Sequence, residues 1–340
     1  MSSTQTTGGP VGTRATIADV ARLSGVSTTT VSHVLTGKRP VAAATRDRVQ
    51  AAVRELGYRP NHVARNLRVG SSQMVAVVVP DITNPFYSQL TRGLADALGS
   101  PYGSYVCSTD GSAARERFFI EDAVARGVDG IVMSSVDPAA EPASASATLG
   151  TPLVCIGGGL EGLDVDGVLP ADRDGSYAAV RHLLARGAKR VAMIAGPPGT
   201  AVNRLAGYHQ ALAEDTAGNP APLVVNGDFT RTSGRLALTR LMRSRRRPDA
   251  VFCANDLMAI GALDAARELG LRVPEDVRLV GFDDIEAASL VSPALTTVAN
   301  PAYESGWSAG GLLTDRLTGR HSGARRDVIL PCRLVVRESS

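Results

Sequence analysis

Residues 16–67 read TIADVARLSGVSTTTVSHVLTGKRPVAAATRDRVQAAVRELGYRPNHVARNL. The stretch opens on a helix-start signal: Thr16 offers its hydroxyl to free backbone N–H groups, and Asp19, three residues on, completes a capping box. Ile17, Val20, Ala21 and Leu23 supply a buried stripe, and Gly25 ends the helix in a turn that a β-carbon would strain. Ser27 caps a second helix, Thr28 to Leu35, whose Val31, Val34 and Leu35 are expected to face inward. A third helix, Thr45 to Leu56, carries Val49, Val53 and Leu56 at helical spacing and stops at Gly57. The pattern predicts a small three-helix unit with a helix-turn-helix at its start.

That arrangement leaves Thr28, Thr29, Ser32 and His33 pointing outward near the start of the second helix. In such units this helix lies in the major groove. Thr methyl and hydroxyl groups there meet thymine methyls or base acceptors, and His33 can donate to a purine N7 or O6. Short polar residues near a helix start are also ordinary caps, so the spacing alone does not settle the matter. The stretch after Gly57 is more specific. Asn61, after Pro60, would cap a helix covering only His62 to Leu67, too short to be stable alone because nucleation outweighs its few hydrogen bonds. It needs a partner to fold.

Charge points the same way. Between Arg14 and Gly70 ten Lys or Arg residues face three acids, a net +7, whereas the whole chain is +3 and the remainder therefore −4. A basic balance confined to one end is the footprint of phosphate contact and predicts binding that weakens steeply with salt.

On TIADVARLSGVSTTTVSHVL, ATRDRV, LGYRPN and ARNLRVGSS, this region resembles the DNA-binding headpiece of the lactose repressor/purine repressor family of bacterial regulators. The resemblance implies that residues 61–67 form a hinge helix on DNA and that Leu67 wedges into the minor groove at the operator centre, flanked by Arg65 and Arg68. An apolar wedge unstacks one base step, and the more extensive interface on the bent duplex offsets that cost. It also extends the implied DNA-contacting set to Thr16, Ser27, Thr30, Thr45, Tyr58, Asn61, His62 and Ala64.

The 340 residues accommodate several domains. Residues 1–13 are small and polar and read as a disordered tail rather than a signal peptide. Residues 14–60 form the headpiece, 61–72 the hinge and linker, and 73–340 an α/β core. In that core, runs such as MVAVVVP (74–80), SYVCST (104–109), GIVMSS (130–135), PLVCIG (152–157), RVAMIAG (190–196), PLVVNG (222–227), AVFCAN (250–255) and RLVGFDD (278–284) alternate with amphipathic helical segments. Such alternation argues for parallel sheets covered on both faces. The order repeats, which predicts two lobes: lobe 1 about 73–170 plus 300–325, lobe 2 about 171–299 plus 326–340. The core resembles the family's effector-binding domain, which shares its fold with periplasmic sugar-binding proteins. The fold class implied is therefore an all-α helix-turn-helix headpiece and hinge helix, then a two-lobed periplasmic-binding-protein-like α/β core.

In that fold the ligand sits between the lobes at the carboxyl ends of strands. The matching positions are Asp81, Asn84 and Phe86 in VVVPDITNPFY, Arg204 in AVNRLAGYH, Phe229 in GDF, Asn255 and Asp256 in CANDLMAIGAL, and Asp283 in GFDD. A ring with carboxylate and amide groups suits a sugar, a sugar derivative or a nucleobase, because buried hydroxyls demand partners. Each position has a plainer reading: Asp81 or Asp256 as a helix cap, Asn84 as a turn residue before Pro85, and Phe86 or Phe229 as core. Arg204 and Asp283 are hardest to explain structurally, since an unpaired buried charge is costly. Many sugar-responsive members place an Asp-Arg pair after the strand PLVCI, where this chain has GGG (157–159). Two hydroxyl-binding charges are thus missing, which counts against a simple pentose or hexose.

GGGLEG (157–162) also matches a dinucleotide fingerprint, but the Asp-, Gly- and Pro-rich text after it does not open the helix that would hold a phosphate. The five histidines have no nucleophile motif or metal spacing around them, and the four scattered cysteines suggest neither zinc nor disulfides. No enzyme activity, metal or cofactor is expected. With no membrane-length apolar run, the expected setting is the cytoplasm. The sequence thus predicts a ligand-responsive transcriptional repressor that binds a near-palindromic double-stranded operator as a homodimer. With no heptads after LPCRLVVRESS, a coiled-coil tetramer is not expected. The alternative is a solute-binding or sugar-processing α/β protein whose basic end has another use, and the lack of a signal peptide and the hinge text count against it.

Overall fold

The structure, a computed structural model, describes residues 15–37, 39–59, 71–134, 150–157, 164–215 and 221–340. The chain divides into two compact units, Met1–Gly70 and Ser71–Ser340.

The first unit holds α1 (Ile17–Ser24), α2 (Thr28–Thr36) and α3 (Ala43–Glu55). The capping box at Thr16 and Asp19 is present in full, and Gly25 closes α1 with φ 64°. Ser27 caps α2 by accepting from the Thr30 N–H at 3.1 Å. Val20, Ala21, Val31, Val49 and Ala52 form a small buried core, with Ile17, Val34, Leu56 and Tyr58 packed against it. Two expected core positions face solvent: Leu23 is 47 % exposed and Leu35 36 %. On α1 the inward stripe runs 17-20-21-24, so Ser24 takes the place expected for Leu23 and donates its hydroxyl to the Val20 carbonyl at 2.6 Å. α3 also begins two residues before Thr45, on a run of good helix formers and without a side-chain cap.

In the second unit the chain runs β1 (Met74–Val79), α4 (Pro85–Leu98), β2 (Gly103–Ser108), α5 (Ala113–Ala125), β3 (Gly130–Met133), β4 (Leu153–Ile156) and β5 (Asp166–Pro170). It continues through α6 (Asp172–Ala185), β6 (Val191–Ala195), α7 (Val202–Ala213), β7 (Leu223–Asn226), α8 (Arg231–Met242), β8 (Ala250–Cys253), α9 (Asp256–Glu268) and β9 (Arg278–Val280). It ends with α10 (Glu286–Leu290), β10 (Thr297–Ala299), α11 (Ala302–Leu317), β11 (Asp327–Leu330) and β12 (Arg333–Val335). Two parallel sheets result, ordered β11-β5-β4-β3-β1-β2 and β7-β6-β8-β9, plus the antiparallel pair β10-β12. Their central strands β1, β3, β4, β6 and β8 are buried almost throughout, as strands covered on both faces should be.

The chain crosses between the lobes after β5, before α11 and after β11. The segment 326–340 does not lie wholly in lobe 2 as expected, because β11 pairs with β5 at the edge of the first sheet and only β12 joins β10. Strand β5 is not legible in the sequence because its first residue is a buried carboxylate. Asp166 is neutralised by Arg316 at 2.7 Å and Arg326 at 2.8 Å. Burial opposes its ionisation, but the two arginines outweigh that and pull it down to about 2. In lobe 1, α4 and α11 touch backbone to backbone: a Cβ on Gly93 would lie 2.0 Å from the Tyr303 carbonyl oxygen, so only glycine fits.

Candidate functional site

Two candidate surfaces emerge, one in each unit. On the headpiece, Thr28 and Thr29 are exposed and Ser32 and His33 half-buried, all on the single helix α2. The Thr16, Ser27 and Thr30 hydroxyls are engaged in caps: Thr16 with Asp19, Ser27 with Thr30. Thr45 lies in the first turns of α3, and Tyr58 packs on the helical core. Asn61, His62, Ala64, Arg65, Leu67 and Arg68 lie outside the described residues.

The second surface is a cleft of about 670 Å³ at the carboxyl ends of the core strands. Asp81, Asn84, Phe86, Arg204, Phe229, Asn255 and Asp283 all line it, although they come from loops and helix starts spread over some two hundred residues. Asp81 folds its own loop, accepting from the Thr83 N–H at 2.8 Å and hydroxyl at 2.7 Å, which leaves its other oxygen free of that turn. Asn84 caps α4 through its carbonyl, accepting from Phe86 N–H at 3.0 Å, so its amide NH2 remains available. Phe86 stands edge-on to Tyr87, with ring centroids 5.2 Å apart. Asn255 spends both ends of its side chain: it accepts from Met258 N–H and donates to the Phe229 carbonyl, each at 2.9 Å. It therefore holds Phe229, whose ring lies so close over Gly196 that a Cβ there would meet it at 2.2 Å.

Arg204 is the hub. Its Nε donates to Asp172 at 3.0 Å, Nη1 to the Ala254 carbonyl at 2.5 Å, and Nη2 faces Asp283 at 3.3 Å, while the guanidinium stacks 3.9 Å above the Phe282 ring. Burial works against its charge, but Asp172 and Asp283 outweigh that and raise its pKa further. Asp283 moves the same way for a different reason. Burial lifts it to about 6, because desolvation exceeds the help of Arg204 and of the Asn300 amide, which donates at 3.1 Å. Asp172 Oδ1 and Asn300 Oδ1 are buried acceptors with no partner among the described residues. Each such group costs about 1–3 kcal/mol when left unpaired.

Backbone strain concentrates here. Of the non-glycine residues with positive φ, Asp110 (52°), Ala201 (49°), Phe229 (68°) and Asp283 (107°) all line the cleft. Such conformations persist only where surrounding structure imposes them, and they gather at ligand sites. Gly157 lines the cleft where an Asp-Arg pair would begin. Asp256 does not line it. Its carboxylate is buried under β10, accepting from the Thr297 hydroxyl at 2.5 Å and Ile285 N–H at 2.9 Å, and burial raises its pKa well above the usual range. It ties the β9–α10 loop down.

Sequence reasoning missed Asp172, Asn300, Asp110, Asp228 and Tyr87, which also line the cleft. Asp172 sits in text whose Asp, Gly and Pro content masked the start of α6, and Asn300 sits in a lobe crossing with no periodic pattern.

The comparisons with known proteins cover both units. Residues 16–61 match the bacterial regulatory proteins, lacI family, and residues 180–340 the periplasmic binding protein-like domain. The HTH-type transcriptional repressor PurR of Aliivibrio salmonicida is 32% identical over 315 residues, covering 92% of this chain and 95% of that protein. The HTH-type transcriptional repressor CytR of Escherichia coli K12 is 35% identical over 334 residues, covering 96% and 97%. The lac repressor dimer bound to operator and the anti-inducer ONPF superposes with TM-score 0.81 at 29% identity, over 96% of this chain and 99% of that one. A helix-turn-helix unit joined to a two-lobed ligand-binding core defines a ligand-responsive regulator of transcription, not an enzyme. This chain belongs to the lacI family of bacterial regulatory proteins. Among the described residues no helix is long and apolar enough to cross a membrane.

Proposed function

We propose that this chain is a homodimeric cytoplasmic repressor whose paired α2 helices read a near-palindromic operator through Thr28, Thr29, Ser32 and His33. Residues 61–72 serve as the hinge and linker, with Leu67 as the minor-groove wedge. An effector in the cleft alters operator affinity through the hinge. The observation that carries the reading is convergence: seven of the eight positions matched in the sequence, drawn from beyond five strand ends, line one cleft of about 670 Å³, a volume suited to a small ligand.

The cleft's chemistry narrows the ligand. Phe86 and Phe229 supply rings, and Arg204 keeps two N–H groups beyond its three protein partners. Asp172 Oδ1 and Asn300 Oδ1 await donors. A sugar derivative or nucleobase compound bearing hydroxyl or amino donors and one apolar face satisfies all of these. Five carboxylates against one arginine disfavour an acid or a phosphate at this end.

The test is selection of operators from a random duplex pool by the purified protein at two salt concentrations, followed by a metabolite panel. Enrichment of a palindrome with a flexible central step, and one compound that shifts its affinity, is the expected outcome. Binding without sequence preference that fades uniformly with salt would reduce the basic region to a nonspecific anchor. Leu67→Ala should lower operator affinity by at least tenfold with the fold and effector binding intact, and unchanged affinity would remove the wedge from the proposal.

A further inference from the structure

The residues outside the headpiece and hinge carry a net charge of −4, yet one edge of lobe 2 is strongly positive. The loop between α8 and β8 reads Arg243-Ser244-Arg245-Arg246-Arg247-Pro248, and its four arginines are all exposed. Lys189 and Arg190, just before β6, belong to the same edge. Arg190 Nη1 donates to the Arg247 carbonyl at 3.2 Å, and the Asp249 carboxylate accepts the backbone N–H groups of Lys189 and Arg190, each at 2.8 Å. This edge lies at the amino ends of β6 and β8, whereas the cleft residues follow their carboxyl ends.

Elsewhere on the lobe several arginines have acidic partners: Arg231 and Arg267 pair with Asp264, Arg235 with Glu268, and Arg272 with Asp276, while the exposed Arg181 and Arg240, which form no ion pair among the described residues, stand singly on their helices. Arg243, Arg245, Arg246 and Arg247 form no ion pair among the described residues, and the nearby Asp249 is already occupied by backbone donors. Four adjacent like charges repel one another, a cost that a merely solvated surface avoids by interspersing acids. All four are guanidinium groups, whose planar forks match phosphate oxygens in pairs. No large apolar side chain of residues 186–190 or 243–249 is exposed, so the edge lacks the apolar centre on which a protein partner would anchor.

We propose that this edge is a second, sequence-independent duplex DNA contact that grips the phosphate backbone of a segment other than the operator. Such a contact draws its affinity from counterion release and positions rather than specifies. It would let one regulator bridge two duplex segments and raise the effective concentration of one beside the other.

The experiment uses the full chain saturated with its selected operator and measures anisotropy of a labelled 30-base-pair scrambled duplex added afterwards. The wild type should bind this second duplex, with affinity falling about a hundredfold between 50 and 200 mM salt, as expected for four phosphate contacts. A variant carrying Arg243→Ser, Arg245→Ser, Arg246→Ser and Arg247→Ser should hold the operator normally and lose the second duplex. A Thr28→Asp/Thr29→Asp variant should still bind the scrambled duplex through this edge, which separates failure of the headpiece reading from failure of this one. Second-duplex binding unchanged by the four serines overturns the proposal. So does a preference for single-stranded RNA of equal length over the duplex.

Discussion

The headpiece and the cleft are built from sequence in opposite ways. The headpiece is shaped at short range: its caps join residues three apart, Thr16 with Asp19 and Ser27 with Thr30, and its core is drawn from three consecutive helices within residues 17–58. The cleft depends on longer reach, although turns and caps such as Asp81–Thr83 and Asn255–Met258 set its individual loops. Its hub Arg204 meets Asp172 and Asp283, residues 32 and 79 positions away, and Asn300 completes the set from a lobe crossing. A short-range motif can be read as text, because caps and helical periodicity act over three or four residues. A long-range site becomes visible only when the sheets bring the strand ends together.

The contrast predicts that the two regions fail independently. The largest effect belongs to Val20→Asp, which places an uncompensated charge in a headpiece core of five buried residues. Operator affinity should fall more than a hundredfold in a gel-shift titration, while effector binding and the core's thermal transition stay in place. Arg204→Met does the reverse. Removing one partner of a buried ionic group leaves Asp172 and Asp283 uncompensated and costs about 3–5 kcal/mol. Calorimetry should show a lowered core transition with effector response lost and operator binding retained.

A third, smaller effect depends on pH. Asp283 is raised by burial to about 6, so the folded core binds its proton more tightly than the unfolded chain does. Its contribution to stability is complete below the ordinary carboxylate value near 3.8 and is lost as pH rises through about 6. Effector binding that uses the ionised carboxylate should run the other way, weakening by up to about tenfold per pH unit below 6 in a titration series. Asp283→Asn should flatten that slope. The smallest effect is Thr16→Ala, which removes the capping box and should cost the headpiece about 1 kcal/mol, read as a lower midpoint of its own transition.

The same difference in range separates what is legible in the sequence from what is not. The helix-turn-helix, its caps and the parallel strands β1, β3, β4, β6 and β8 follow from local signals: glycine ends, hydroxyl caps and unbroken β-branched runs. Leu23 and Leu35 escape the expected stripe because helical spacing fixes a stripe only to within one position, and Ser24 fills the inward place by satisfying its hydroxyl within the helix. Strand β5 hides behind Asp166, whose partners Arg316 and Arg326 lie 150 or more residues downstream. In the cleft, the family positions are legible, but the unpaired acceptors of Asp172 and Asn300 are not. Nothing local distinguishes a carboxylate that starts a helix from one that waits for a ligand.

The central claim is that the ligand in the cleft and the operator on the headpiece are energetically coupled within one chain. The most direct test is a reciprocal pair of titrations: operator affinity with and without saturating effector, and effector affinity with and without operator. Linkage requires the two ratios to be equal, and a common factor of about 5 to 150 is the predicted result. Equal affinities in both pairs would mean that cleft and headpiece work separately, and the regulatory reading would be wrong.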